Sequence, residues 1–559
     1  MKNKFLAVLL VVAMVCSVCA CGSTKQESSS SSSEAVKEES KAESSAASTD
    51  ATSAEPEEYV PTYPIVDEPI TVVGLVVGAD TTYMKDSRIV WDKVEEITGI
   101  NIEWKNIESE ALATYLAGNE WPDFFHCSLD SATVNDYGII GGRFVNYKDY
   151  LDIMPNLAQT LKDYPTAAAG ATQLNGEMYN LFKVSGLCST ATVARPHYRL
   201  DVLENAGITE VPTTVDEFYD MLVTLKEVNG VPGMILSTEE NGCWPLMLWS
   251  AFGTLNRMTF DDDGTGTVVF SRTTDQTKHY YEFLNKLYEE ELMNREWLTL
   301  DSTAVKQMVL EGKTAIFSRG IAQGLAAEDL KDGNWDYLAT MAPLTSEYDS
   351  TQTLHGYYDY APTCGMYINA DSEYIEEICK MLDIGFATEE VVEGSGLLGQ
   401  SFQYGFQGVN WWINEDGTYE QQPDEGYDSF STWQMGALLY LNFGRGDYWG
   451  DAVTATPGNA QARQLGFVEN VIPYQVTDHI FIEGNLKLTE DEQYVIDNKW
   501  EEIKTYYKKM EAEFITGATD IETGWDTYVA TVEKMGIAEI LEVYQAAYDR
   551  QLEAIASVQ

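Results

Sequence analysis

Apolar and polar positions along the chain fall into two alternating periods. Residues 70–77 form a valine-rich run bounded by Pro69 and Gly78, which predicts a strand. Val90, Val94 and Ile97 follow at helical spacing, with Asp86 or Ser87 available as a cap and Gly99 as the stop. Ile100, Ile102 and Trp104 then alternate with polar residues and predict a second strand. Strand, helix and strand in this order imply a parallel pair joined by a right-handed crossover. The N-terminal region has a different pattern. Lys2 and Lys4 precede an apolar run over residues 5–15, too short to span a bilayer but suited to a signal peptide. Residues 22–66 carry an unbroken serine run at 28–33, then Glu, Lys, Ala and Thr, with Pro56, Pro61 and Pro64 at the far end. Such a segment buries too little surface to offset chain entropy and is expected to be a disordered tether. No later apolar run is long enough to cross a membrane.

The junction Val18-Cys19-Ala20-Cys21-Gly22 resembles a bacterial lipobox, in which the final cysteine becomes diacylated and N-terminal. It implies residues 1–21 as a lipoprotein signal peptide, Cys21 as the lipid anchor, and an extracellular, membrane-attached protein. An ordinary signal peptide cut near Ala20 is the alternative. Composition narrows the function further. The 559 residues contain 89 acidic and 35 basic side chains, a formal charge of −54, which argues against nucleic acid as a partner. Cys127, Cys188, Cys243, Cys364 and Cys379 are odd in number and unclustered, and the five histidines are scattered, so no metal or other cofactor is expected. The run Asp261-Asp262-Asp263-Gly264-Thr265-Gly266 lacks the bidentate acid of a calcium loop and reads as a turn between two strands.

Seven collinear pieces carry a family resemblance. Leu116-Ala117-Gly118-Asn119-Glu120-Trp121-Pro122-Asp123 is followed by Gly142-Arg143-Phe144 and Pro155-Asn156-Leu157, then by Asn175-Gly176-Glu177-Met178-Tyr179. Tyr198-Arg199-Leu200-Asp201, Pro212-Thr213-Thr214-Val215-Asp216-Glu217-Phe218 and Gly312-Lys313-Thr314-Ala315-Ile316 continue the series. Glu513-Phe514-Ile515 with Gly517, and Ala547-Tyr548-Asp549-Arg550, close it. Together these resemble the extracellular solute-binding proteins (family 1-like) of carbohydrate ABC importers, in particular the large Gram-positive lipoproteins.

The resemblance implies an α/β protein of the two-lobed periplasmic-binding-protein-like fold (type II), with a ligand cleft between the lobes. Residues 67–184 plus 303–342 are expected in the N-terminal lobe, and 185–302 plus 343–559 in the C-terminal lobe. It also implies a monomer that captures a sugar or oligosaccharide and docks on the importer's permease subunits, with no catalysis. A sugar ring offers an apolar face to aromatic side chains and a hydroxyl rim to carboxylates, amides and arginines. Thirteen Trp and 33 Tyr supply the aromatics. Trp244 and Trp249 at a loop-to-helix start, Tyr357, Tyr358 and Asp359 where the chain recrosses, Trp412 and Trp449 are the stacking candidates. Arg319 at the expected hinge, and Asp123 with His126 in the first loop, are the polar candidates. Two other readings remain: a non-sugar ligand such as a peptide, and an extracellular glycosidase, for which no motif isolates the required carboxylate pair.

Overall fold

In the computed structural model, residues 59–78, 89–188, 196–235, 246–253, 259–318, 325, 329–355, 358–361, 364–413, 419–421, 444–445, 470, 472–476, 481 and 483–558 are described. The expected signal peptide, Cys21 and nearly all of the expected tether lie outside them. The strands that organise the fold are β1 (Ile70–Val77), β2 (Ile100–Ile107), β3 (Phe124–Ser128), β4 (Lys183–Cys188), β5 (Pro196–Arg199), β6 (Ile316–Ser318), β7 (Leu338–Thr340), β8 (Tyr358–Ala361), β9 (Cys364–Ile368) and β10 (Gly444–Arg445).

The predicted crossover is present: β1 and β2 pair in parallel from Ile70↔Ile100 to Val77↔Ile107, joined through the helix Ile89–Thr98. β3 joins β1 in parallel, and β9 closes the sheet antiparallel to β3, giving the order β9-β3-β1-β2. β1 and β3 are largely buried and read as continuous apolar runs, whereas β2 keeps one face towards solvent and alternates apolar with polar residues. Trp104 on β2 meets Phe124 edge-on at 5.4 Å, Trp91 meets Trp104 at 5.1 Å, and Phe402 meets Trp91 at 5.3 Å. This aromatic chain needs Gly74 on β1, because a Cβ there would stand 2.7 Å from the Phe124 ring.

A second sheet has the order β6-β5-β7, both neighbours antiparallel to β5. Its surroundings are helical. The helices Val215–Asn229, Asp275–Glu289, Glu490–Thr516, Ile521–Lys534 and Ile537–Val558 contribute to one apolar core that includes Phe218, Tyr281, Phe514, Trp525 and Tyr544. The first sheet has its own cores, in which Val72, Trp91 and Phe124 pack with Met366, Ile378, Phe386 and Phe402. Two separate cores built around two sheets make two lobes.

The expected division of the chain needs correction. Residues 303–342 carry β6 and β7, which hydrogen-bond to β5 in the second lobe rather than to the first sheet. Residues 364–406, expected in the second lobe, supply β9 and the apolar side chains that fill the first core. The boundaries move, but the number of crossings between lobes stays as expected. Among the described residues, no helix is long and apolar enough to cross a membrane.

Several motif pieces prove to be local fasteners. Thr214 and Glu217 form a reciprocal capping box at the helix Val215–Asn229. Asp262 takes the Gly264 and Gly266 amides at 2.7 and 2.9 Å, so this acid stabilises the hairpin turn. Asn156 and Leu157 donate their amides to the Asp383 carboxylate, which caps the helix Pro155–Asp163 from 227 residues away.

Candidate ligand site between the lobes

Where the lobes meet, three passes of chain lie side by side. β8 pairs antiparallel with β4, Asp359 opposite Ser185 and Tyr360 opposite Val184. β10 pairs in parallel with the other edge of β4, Gly444 opposite Lys183 and Arg445 opposite Val184. β4 leads from the first sheet to β5 in the second, and β8 leads back to β9. Extended crossing strands of this kind let two rigid lobes change their relative angle by small backbone rotations.

β10 is seated firmly. Arg445, 5% exposed, reaches Asp163 at 2.7 Å, and a Cβ on Gly444 would stand 2.3 Å from the Gly385 carbonyl oxygen at a φ of +93°. Gly444→Ala is therefore expected to push β10 off β4 and destabilise the ligand-free protein by about 1–3 kcal/mol, read as a lowered thermal midpoint.

The nominated residues are not all alike. Tyr358 and Asp359 lie on β8, in the crossing. Trp412 stands opposite Glu420 in a short hairpin, Trp411–Ile413 with Tyr419–Gln421, and is half-buried. Trp411 is the buried member of that pair, with its indole N–H donated to the Gly405 carbonyl at 3.3 Å. Trp244, Arg319, Tyr357 and Trp449 lie outside the described residues.

Three candidates are occupied by the fold itself. Trp249 is 3% exposed in the second core, its ring tilted against Tyr280 at 5.1 Å with the Arg272 guanidinium 4.2 Å from its ring. Asp123 accepts the Val73 amide and the Ser372 hydroxyl, each at 2.7 Å, and so ties β1 to the turn after β9. His126 lies in the middle of the first sheet between Val76 and Met366, and burial pulls its imidazole down to about 4. The loop before it is likewise self-contained: Arg143 stacks 3.5 Å over the Trp121 ring and donates to the carbonyls of Leu116 and Gly118.

Sequence reasoning missed two adjoining grooves walled by both lobes, of about 240 and 530 Å3. Their walls come from segments far apart in sequence, around 131–139, 169–176, 485–497 and 547–554, so no local spacing joined them. Among the described residues, no group of three acidic, histidine or cysteine side chains is placed to hold a metal.

The family described as bacterial extracellular solute-binding protein matches residues 84–390, more than half of the chain. Lipoprotein LipO of Bacillus subtilis (strain 168) is 24% identical over 284 residues, 47% of this chain and 53% of that protein. The fructooligosaccharide ABC transporter substrate-binding protein FusA of Streptococcus pneumoniae serotype 4 is 23% identical over 509 residues, covering 83% of this chain and 87% of FusA. Among solved structures, FusA in complex with kestose superposes with a TM-score of 0.63 at 19% identity, over 86% of this chain and 99% of that one. A human-milk-oligosaccharide (HMO) binding solute-binding protein of Bifidobacterium longum infantis gives 0.65 at 18% identity, over 87% and 99%. At these identities the structural likeness establishes the two-lobed fold.

Proposed function

The chain belongs to the bacterial extracellular solute-binding proteins, and from that premise we propose that it captures a sugar or oligosaccharide outside the cell and delivers it to the permease of an ABC importer. The observation that carries the reading is the pair of separately cored lobes joined by β4, β8 and β10, a hinge able to close over a ligand. The sugar class is supported by FusA, whose name states a fructooligosaccharide and which aligns with most of both chains.

In this reading the solute lies against aromatic faces supplied by Trp244, Tyr357, Tyr358, Trp412 and Trp449, with Asp359 and Arg319 on its hydroxyl rim. Closure of the lobes forms the state that the permease recognises. Cys21 carries the lipid, and residues 22–66 are the tether that lets a monomer reach its permease from the membrane surface. The lipoprotein named LipO supports that attachment.

A melting screen of the soluble chain against oligosaccharides, peptides and chromogenic glycosides tests the proposal. A glycan at about 100 times its dissociation constant is expected to add about 2.7 kcal/mol to the stability of the native state. Stabilisation by peptides with none by glycans would overturn the sugar assignment, and turnover of a glycoside would overturn the binding role. Trp244→Ala is expected to weaken glycan binding about two- to tenfold while leaving ligand-free melting unchanged, measured by calorimetric titration. An unchanged affinity would remove Trp244 from the site.

A further inference from the structure

The larger interlobe groove, of about 530 Å3, is lined by none of the residues nominated for the sugar. Its first wall begins at Ser131, just past the carboxyl end of β3, the end at which open α/β sheets hold their ligands. Asn135 and Ile139 continue that wall on a widened helical turn, in which the Gly141 amide bonds the Asp136 carbonyl at 2.9 Å. Single π-type turns of this kind are rare and recur at functional positions. Gln173 and Leu174 complete the side given by the first lobe, and residues 487–497 supply the side given by the second.

Two large apolar side chains line this space from opposite lobes and stay open to water: Tyr494 is 70% exposed and Leu174 is 48% exposed. Among the described residues, the Tyr494 ring stacks on no other ring and its hydroxyl makes no hydrogen bond. Apolar surface left exposed in a concave setting with a polar rim marks a binding site. The rim here holds both kinds of polar partner. Glu490 and Asp497 accept hydrogen bonds, Lys487 Nζ donates them, and the amides of Asn135, Gln173 and Gln493 do either. One ammonium against two carboxylates, in a chain whose formal charge is −54, disfavours an anion. A neutral molecule with an apolar face and a ring of hydroxyls suits all of these groups. Its C–H face covers Tyr494, while its hydroxyls donate to the carboxylates and accept from Lys487 and the amides.

We propose that this groove is a further sugar subsite, in which Tyr494 stacks on one unit of a neutral oligosaccharide. Tyr358 and Asp359 on β8 do not line it, so one sugar ring cannot occupy both places. Filling both takes a chain of sugars, and the groove thereby makes the protein selective for length. The walls carrying Asn135 and Tyr494 belong to different lobes, so closure brings both onto the bound unit. The inference rests on the proposed capture of sugars and adds where a longer ligand extends.

The test incubates the full soluble chain with a pool of neutral gluco-, fructo-, galacto- and xylo-oligosaccharides, from monosaccharides to octasaccharides, together with anionic oligogalacturonates. Glycans retained with the protein on ultrafiltration are sized by mass spectrometry. Wild type is expected to keep the longer neutral chains in preference to single sugars and to oligogalacturonates. Tyr494→Ala is expected to hold those longer chains about three- to tenfold more weakly, so that retained lengths shift downward. Its ligand-free melting is expected to stay that of wild type, because the ring is exposed. Tyr494→Phe keeps the ring and is expected to restore the wild-type length profile. If wild type retains no glycan, the sugar reading fails and this subsite with it. If wild type retains glycans and Tyr494→Ala retains the same lengths in the same amounts, the sugar reading stands and the subsite is overturned. An equal loss for short and long chains, or a preference for oligogalacturonates, would overturn it too.

Discussion

Arg199→Met is expected to lower the unfolding free energy by about 3–5 kcal/mol, the usual penalty for removing one partner of a buried ion pair. Arg199 ends β5, the central strand of the second sheet, and both it and Asp201 are 6% exposed. The guanidinium grips the carboxylate through two bonds, Nε to Oδ1 at 2.8 Å and a terminal nitrogen to Oδ2 at 2.6 Å. Its remaining terminal nitrogen donates to the Val309 carbonyl at 3.1 Å and anchors the helix Ser302–Leu310 to the strand. With Met in place, the Asp201 carboxylate keeps the Val202 amide as its donor. A charge buried with so little support is expensive, whereas replacing both partners by apolar residues is often close to neutral. The double variant Arg199→Met/Asp201→Leu is therefore expected to recover most of the loss. Urea unfolding followed by tryptophan fluorescence measures both. A single-variant loss below about 1 kcal/mol would show that the pair contributes no more than a surface ion pair.

The same pair shows what a single sequence makes legible. Tyr198-Arg199-Leu200-Asp201 is recognisable as a motif because both partners lie within one short stretch. The capping box of Thr214 and Glu217 is legible for the same reason, as is the β1–helix–β2 crossover, whose period changes are local. Long-range partners leave no such trace. Asp383 completes the Pro155-Asn156-Leu157 motif from the opposite end of the first lobe's sequence, and nothing around residue 383 announces it. Lobe membership is hidden in the same way: β6, β7 and β9 are short apolar strands that would suit either sheet, and their hydrogen-bond partners decide between them. Within the candidate site, aromatic density overstated exposure. Trp249 falls on the buried face of its helix, while Trp411 and Trp412 alternate in and out as strand neighbours must.

His126 could have been placed from sequence, since Phe124-Phe125-His126-Cys127 is a continuous strand of the kind that parallel sheets bury on both faces. Its burial sets a pH dependence. An imidazole with an unfolded value of 6.5 and a folded value of about 4 is held neutral in the native state. The stability gained is fully present above 6.5 and is lost as pH falls from there towards 4, by about 3 kcal/mol in all. Its Nδ1 has no partner in the sheet, so nothing nearby rewards protonation. Asp383 acts in the opposite direction. Burial raises its carboxyl to about 6, so its contribution is present below the unfolded value of 3.8 and is lost as pH rises through 6. The two slopes oppose each other, and the wild-type profile alone hides both. His126→Gln removes one of them. Between pH about 7 and about 4 the variant is expected to keep the ~3 kcal/mol that wild type loses through His126, so the difference between the two proteins shrinks or inverts on acidification. Asp383 is common to both and cancels in that difference. Urea midpoints across the range decide the matter: parallel pH profiles for the two proteins would mean that His126 takes up its proton as readily folded as unfolded, and that the centre of the first sheet is open to water.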